Sequence, residues 1–265
     1  MFVAIAAGGC AKPPPDDLMS LVWVQTAAEY DAAALATYHA AAGALDRALA
    51  DPSWTAAVEQ TGSFDALPPA IVVDADETVI DNSAYQARNH LDQRGFDPAT
   101  WSAWVTAGEA RAVPGAVAFL TSAHAAGVRV FYVSNRSAAQ AEPTRANLAA
   151  LGFPDTADLD TFRFRPAEGP GDKSTRRAAI AADHRIVLLI GDNLFDFVEV
   201  EAPAPPPDPA ARDAMVEAHA DWWGTRWFVV PNPLYGSWDD ALVGYDHPAE
   251  RVRHAARVGA LDRRE

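Results

Sequence analysis

The chain has 265 residues, 49% of them apolar, enough to bury a sizeable core as one large domain or as a core with a cap. Its 21 basic and 36 acidic residues leave a net charge of −15, which argues against nucleic-acid polymers as partners and requires any phosphate affinity to come from a few local charges. A single cysteine excludes an intramolecular disulfide.

The segment Phe2 to Gly9 is short, apolar and rich in small residues, directly before Cys10; it is too short to span a bilayer and is similar to the end of a bacterial lipoprotein signal. On this reading Cys10 is the lipidation site, and residues 1–17 are a signal remnant and a stiff, proline-rich tether. The expected location is the bacterial cell envelope, lipid-anchored at the outer membrane or cell surface or else periplasmic, with membrane contact only through the anchor. From Leu18 to about Ala50 the helical spacing and alanine content predict an accessory helical layer.

Next comes an apolar run, Ile71-Val72-Val73, that stops at Asp74 and Asp76. In an α/β sheet chemistry gathers beyond the carboxyl ends of strands, and side chains two apart on an extended path point the same way, so both aspartates are expected in one pocket. Two such charges are tolerated when a cation neutralises them or one keeps a proton, the conditions for phosphoryl transfer through an aspartyl-phosphate. The long span that follows is expected to hold a small helical cap around Pro98 to Ala112, then a helix from Pro114 to Ala126 with Gly127 just past its end.

A second apolar run, Val128 to Val133, ends at Ser134-Asn135-Arg136, where a hydroxyl and an amide can bond phosphate oxygens. A helix is expected over Ala138 to Leu151 and a strand over Thr161 to Arg165. Lysine occurs only at positions 12 and 173 among the 21 basic residues, so Lys173, just ahead of a helix from Thr175 to Ala182, fits a compact point charge for phosphate. The run Ile186 to Ile190 reads as a strand buried on both faces and leads into Asp192 and Asp196, hard oxygen donors that suit Mg²⁺. A proline-rich break over Glu201 to Pro209, a last strand from Trp227 to Val230 and a helical tail from Pro248 complete the chain. Trp222, Trp223 and Trp227 are assigned to packing, and the seven histidines show no metal-ligand spacing.

These motifs together resemble the haloacid dehalogenase-like superfamily and, within it, the lipoprotein e family of class C acid phosphatases. The resemblance is carried by Leu21 to Tyr30, Asp74 to Ser83, Arg111 to Ala116, Phe131 to Arg136 and Pro231 to Trp238. It implies an α/β fold: a modified Rossmann core with a parallel sheet and a small helical cap. Residues 18–242 would form the phosphatase domain, with helical accessory parts at 18–60 and 84–112, followed by a tail at 243–265.

The resemblance further implies Asp74 as nucleophile and Asp76 as general acid and base, with Ser134, Asn135 and Lys173 binding phosphate. Mg²⁺ would be held by Asp74, Asp76, Asp192 and Asp196, and a substrate base would stack between Trp101 and Tyr235. Phe195 stands where the family usually carries an acid. The implied reaction is hydrolysis of small phosphate monoesters, nucleoside or nicotinamide monophosphates among them, by a protein whose relatives often form homodimers. Two other readings are a nucleotide-binding surface lipoprotein without turnover and another phosphotransferase of the same fold. An acid at position 76 speaks against the first.

Overall fold

Five parallel strands in the order β5-β4-β1-β6-β7 carry the molecule in a computed structural model that describes residues 17–167, 171–199, 206–246 and 248–262. Cys10 and the tether up to residue 16 lie outside the described residues, as does most of the proline-rich break. The strands are β1 (Pro69–Val73), β4 (Arg129–Ser137), β5 (Phe162–Arg165), β6 (Arg185–Gly191) and β7 (Trp227–Val229). Every residue of β6 is buried, as a strand covered on both faces requires. Alternation divides the core: Ile71 and Val73 join Tyr132, Leu188 and Ile190 on one face, while Ala70 and Val72 join Phe131, Leu189 and Trp227 on the other.

Two helices, α1 (Leu18–Thr26) and α2 (Ala28–Ala50), form the accessory layer; they are separated at Ala27, whose backbone is extended at φ −84° and ψ 125°. The turn after Asp74 is followed by a two-residue strand, β2 (Ile80–Asp81), and by α3 (Ser83–Leu91) and α4 (Pro98–Ala107); an antiparallel partner, β3 (Arg111–Ala112), pairs with β2. Asp97 caps α4 by accepting from the N–H groups of Ala99 and Thr100, Pro98 occupies the first turn, and left-handed Gly108 ends it. The next helix, α5 (Ala116–Ala125), is followed by Gly127 at φ +84°.

Helix α6 (Ala141–Ala150) connects β4 to β5, and α7 (Ser174–Ala181) connects β5 to β6. Beyond β6 lie α8 (Pro209–Ala218), α9 (Ser237–Val243) and the tail helix α10 (Glu250–Gly259). Trp227 is fully buried, with Trp222 and Trp223 against it at ring distances of 5.0 Å. Among the described residues no helix is long and apolar enough to cross a membrane.

Candidate active site

Strand register sets the site. Val73 pairs with Tyr132 on one side and Ile190 on the other, so β1 ends level with the end of β6 and with the middle of β4, which runs on to Ser137. Asp74 follows β1 directly, its N–H donating to the carbonyl of Ile190 at 3.0 Å. The chain does not continue extended: it turns through Glu77 at φ +57°, with the N–H groups of Val79 and Ile80 both reaching the carbonyl of Ala75. Asp74 and Asp76 nonetheless line one cleft, each with its own cation.

Asp74, 8% exposed, accepts from Lys173 Nζ, which also donates to Asp196 Oδ1 at 2.6 Å. Asp196 folds back under the strand end, where its Oδ2 accepts the N–H groups of Asp192 and Asn193 at 3.1 and 2.9 Å. Gly191 makes this possible, since a Cβ there would lie 2.3 Å from Asp196. Asp192 is held by Thr78 Oγ1 at 3.0 Å and Asn232 Nδ2 at 2.8 Å. Burial pushes the Asp74 carboxyl up to about 7, opposed by Lys173 and reinforced by Asp196 and Asp76. Burial, with Asp196 and Asp74 adding, also drives Asp192 well above the carboxylate range. For Lys173 burial opposes the charge, but Asp196 and Asp74 outweigh it and raise its pKa.

The carboxylates of Asp74, Asp192 and Asp196 present ligand oxygens within 4.8 Å of one another. Three hard oxygen donors crowded in a buried site with only one lysine among them leave negative charge uncompensated, and this donor set fits a divalent cation. Asp76 stands apart from that cluster. Arg136, 3% exposed, grips it with Nη2 at 2.7 Å and Nε at 3.1 Å, and Asn82 Nδ2 donates to it at 2.8 Å.

Ser134 is 1% exposed and its Oγ accepts the N–H of Arg136, so the cleft wall here consists of Asn135 and Arg136. Asn135 is fixed by Arg176 Nη2 at 2.6 Å, and Arg176 Nη1 also donates to the Ser134 carbonyl at 2.8 Å. On the far side Arg177, fully buried, pairs with Glu59 at 2.6 Å and donates to the carbonyl of Asp196 at 3.0 Å. Sequence reasoning singled out none of these three arginines. The one signal was the place of Arg136 directly after the polar end of a strand.

The cleft has a volume of about 1060 Å³, and Trp101, Tyr235 and Phe96 all line it. Trp101 is half-buried against Tyr85 at 5.2 Å and 68°, with the Arg136 guanidinium 5.2 Å over its ring. The hydroxyl of Tyr235 donates to Glu77 Oε1 at 2.9 Å. Glu77, 2% exposed, is pushed up to about 8 by burial and by Asp81 and Asp76. Phe96 is 68% exposed, 6.3 Å from Trp101, and was not among the residues expected at the site.

Comparison with known proteins bears on the family and the fold. Residues 19–238 match the HAD superfamily, subfamily IIIB, described as acid phosphatase. The structure of the class C acid phosphatase from Bacillus anthracis is similar with a TM-score of 0.82 and 32% sequence identity, over 94% of this chain and 98% of that one. A second structure of that enzyme, with tungstate bound, gives the same TM-score at 31% identity. A stem 31 kDa glycoprotein of Glycine max is 24% identical over 163 residues, and the chain spans 56% of its length.

Proposed function

The chain belongs to subfamily IIIB of the HAD superfamily, the acid phosphatases, and from that premise we propose that it hydrolyses nucleoside or nicotinamide monophosphates through an aspartyl-phosphate on Asp74. The observation that carries this reading is the pairing of two acids at one strand end with different surroundings. Asp74 lies in the carboxylate cluster beside Lys173, and Asp76 sits outside it under Arg136.

Asp74, Asp192 and Asp196 would hold the Mg²⁺, which when bound offsets the charge of the phosphate dianion. Lys173 supplies a second positive charge where phosphate oxygens would crowd, and Asn135 offers its amide from the opposite wall. A carboxylate oxygen of Asp74 attacks phosphorus in line while the bond to the ester oxygen breaks, and Asp76 delivers a proton to the departing alkoxide. Asp76 then takes a proton from the water that cleaves the acyl phosphate, releasing inorganic phosphate and restoring Asp74. The rings of Trp101, Tyr235 and Phe96 at the cleft suit a flat base, for which stacking is worth about 1–3 kcal/mol and tolerates many bases. The oxyanion tungstate bound to the Bacillus anthracis relative supports a phosphate-shaped pocket.

Phosphate release from 5′-mononucleotides, nicotinamide mononucleotide and glycerol 2-phosphate, with Mg²⁺ or chelator, tests the reading in the wild type and in Asp74→Asn. Mg²⁺-dependent release, lost in the variant and fastest with the nucleotides, is expected. Release that survives Asp74→Asn, or that prefers glycerol phosphate, overturns the nucleophile or the substrate assignment respectively. The sequence around Cys10 supports a lipid-anchored envelope protein. Metabolic labelling with a fatty acid that tags the wild type and spares Cys10→Ser is the expected outcome, and equal labelling of both would rule it out.

A further inference from the structure

One buried guanidinium joins the cap to the second aspartate. Arg136 spends Nη2 and Nε on Asp76, donates Nη1 to Thr144 Oγ1 at 2.9 Å, and lies with its Cζ 5.2 Å from the centroid of Trp101. Asn82 makes a parallel link: its amide donates to Asp76, and its carbonyl oxygen accepts Trp104 Nε1 at 2.9 Å. Trp101 and Trp104 are three residues apart on α4, hence on one face of that helix. The donors fall unevenly on the carboxylate. Oδ1 receives Asn82 Nδ2, Arg136 Nη2 and Arg136 Nε, whereas among the described residues Oδ2 receives only Nε, at 3.1 Å.

We propose that Trp101 is a positioning residue for Asp76, acting through Arg136, so that the cap helix orients the proton-transferring carboxylate of the core. The inference rests on the acid and base role given to Asp76 above. With Oδ1 occupied, Oδ2 is the oxygen that passes its proton to the ester oxygen as the P–O bond breaks and the bond from Asp74 forms. The indole face holds the guanidinium plane, and the guanidinium sets the rotation of the carboxylate. Removing the ring leaves Arg136 its charge but not its plane.

Leaving groups test this. Glycerol 2-phosphate departs as an alkoxide and needs the proton; 4-nitrophenyl phosphate departs as a stable phenolate and does not. In Trp101→Leu, kcat/KM for glycerol 2-phosphate is expected to fall about 10- to 100-fold, the scale of a slightly misplaced catalytic group, with a much smaller fall for 4-nitrophenyl phosphate. Arg136→Lys, which keeps the charge without the fork, is expected to show the same selectivity and carries the comparison should Trp101→Leu not fold. Trp101→Phe is expected to restore most of the loss.

A loss confined to the aryl substrate would mean that Trp101 only stacks, and an equal loss on both would mean a general structural role; either overturns the proposal. Asp76→Asn, measured alongside, separates the two layers. If it shows no leaving-group selectivity, the role of Asp76 fails and takes this inference with it. If it does and Trp101→Leu does not, only the positioning role falls.

Discussion

Replacing Lys173 by methionine tests the charge balance of the site directly. Lys173 is 5% exposed and bridges Asp74 and Asp196, themselves 8% and 7% exposed, so the substitution strands two buried carboxylates. Breaking a buried ion pair by removing one partner costs about 3–5 kcal/mol, and that is the stability loss expected in chelator at about pH 8. The sign of the pH dependence follows from the groups involved. The pKa of Lys173 is raised, so its contribution in the wild type is present below the unfolded lysine value, throughout the accessible range. Without it Asp74, already near 7, rises further; the native state then holds a proton that the unfolded chain releases, and stability falls as pH increases above the unfolded carboxylate value.

The deficit of Lys173→Met is therefore expected to be smaller at about pH 5 than at about pH 8. Mg²⁺ should shrink it at either pH, since carboxylates no longer neutralised by Lys173 bind the cation more tightly than those of the wild type, and tighter binding adds more stability. Urea unfolding in chelator and in Mg²⁺, at both pH values, reads all of this. A variant as stable as the wild type in chelator at high pH would refute the reasoning.

Glu77, pushed to about 8 by burial and by Asp81 and Asp76, keeps its proton in the native state well above the pH at which the unfolded chain loses it. Stability should fall as pH rises through that window, by up to about 1.4 kcal/mol per pH unit from this group, and Glu77→Gln should flatten the Tm profile; parallel profiles would sink the argument. Gly191→Ala places a Cβ 2.3 Å from Asp196 and should abolish the rise in Tm that Mg²⁺ produces, so an unchanged rise in a thermal-shift titration would count against the proposed metal loop. Helix α10 has no buried residue and is held through Asp239, which accepts from Arg253 and Arg257. Losing charge-assisted bonds worth about 1.5–3 kcal/mol each should make limited proteolysis ahead of α10 at least about tenfold faster in Asp239→Asn, and equal rates would show that other contacts hold the helix.

The strands that carry the chemistry were legible because burial on both faces leaves an unmistakable trace: continuous apolar runs that stop at Asp74, Ser134 and Asp192. The family resemblance stated from those motifs agrees with the subfamily matched over residues 19–238. The arginines were not legible. What Arg136, Arg176 and Arg177 bond to depends on which loops the sheet brings within reach, and a guanidinium at the end of a long stem leaves no periodic signature. Short β2 and β3 escaped notice because two residues cannot show alternation, and their pairing joins segments some thirty residues apart, Ile80 with Ala112 and Asp81 with Arg111. Helix α8 did leave a signal that was misread: Asp208 and Pro209 belong to a proline-rich stretch, yet Asp208 accepts from the N–H of Ala211 as an N-cap, with Pro209 in the first turn.

Of the cleft rings Phe96, Trp101 and Tyr235, two have obligations elsewhere: Trp101 lies under the guanidinium that grips Asp76, and Tyr235 is tied by its hydroxyl to Glu77. Phe96, the most exposed of the three, sits in the connection between α3 and α4, and among the described residues its ring meets only that of Trp101. Mutational drift is therefore unevenly permitted. Substitution at position 96 is expected to reshape the cleft wall without disturbing the carboxylates, whereas change at 101 or 235 reaches the contacts of Arg136 and Glu77. A selection experiment for altered substrate preference should accordingly fix its first substitutions at Phe96 and its neighbours, and reach the other two rings only after compensating changes have accumulated.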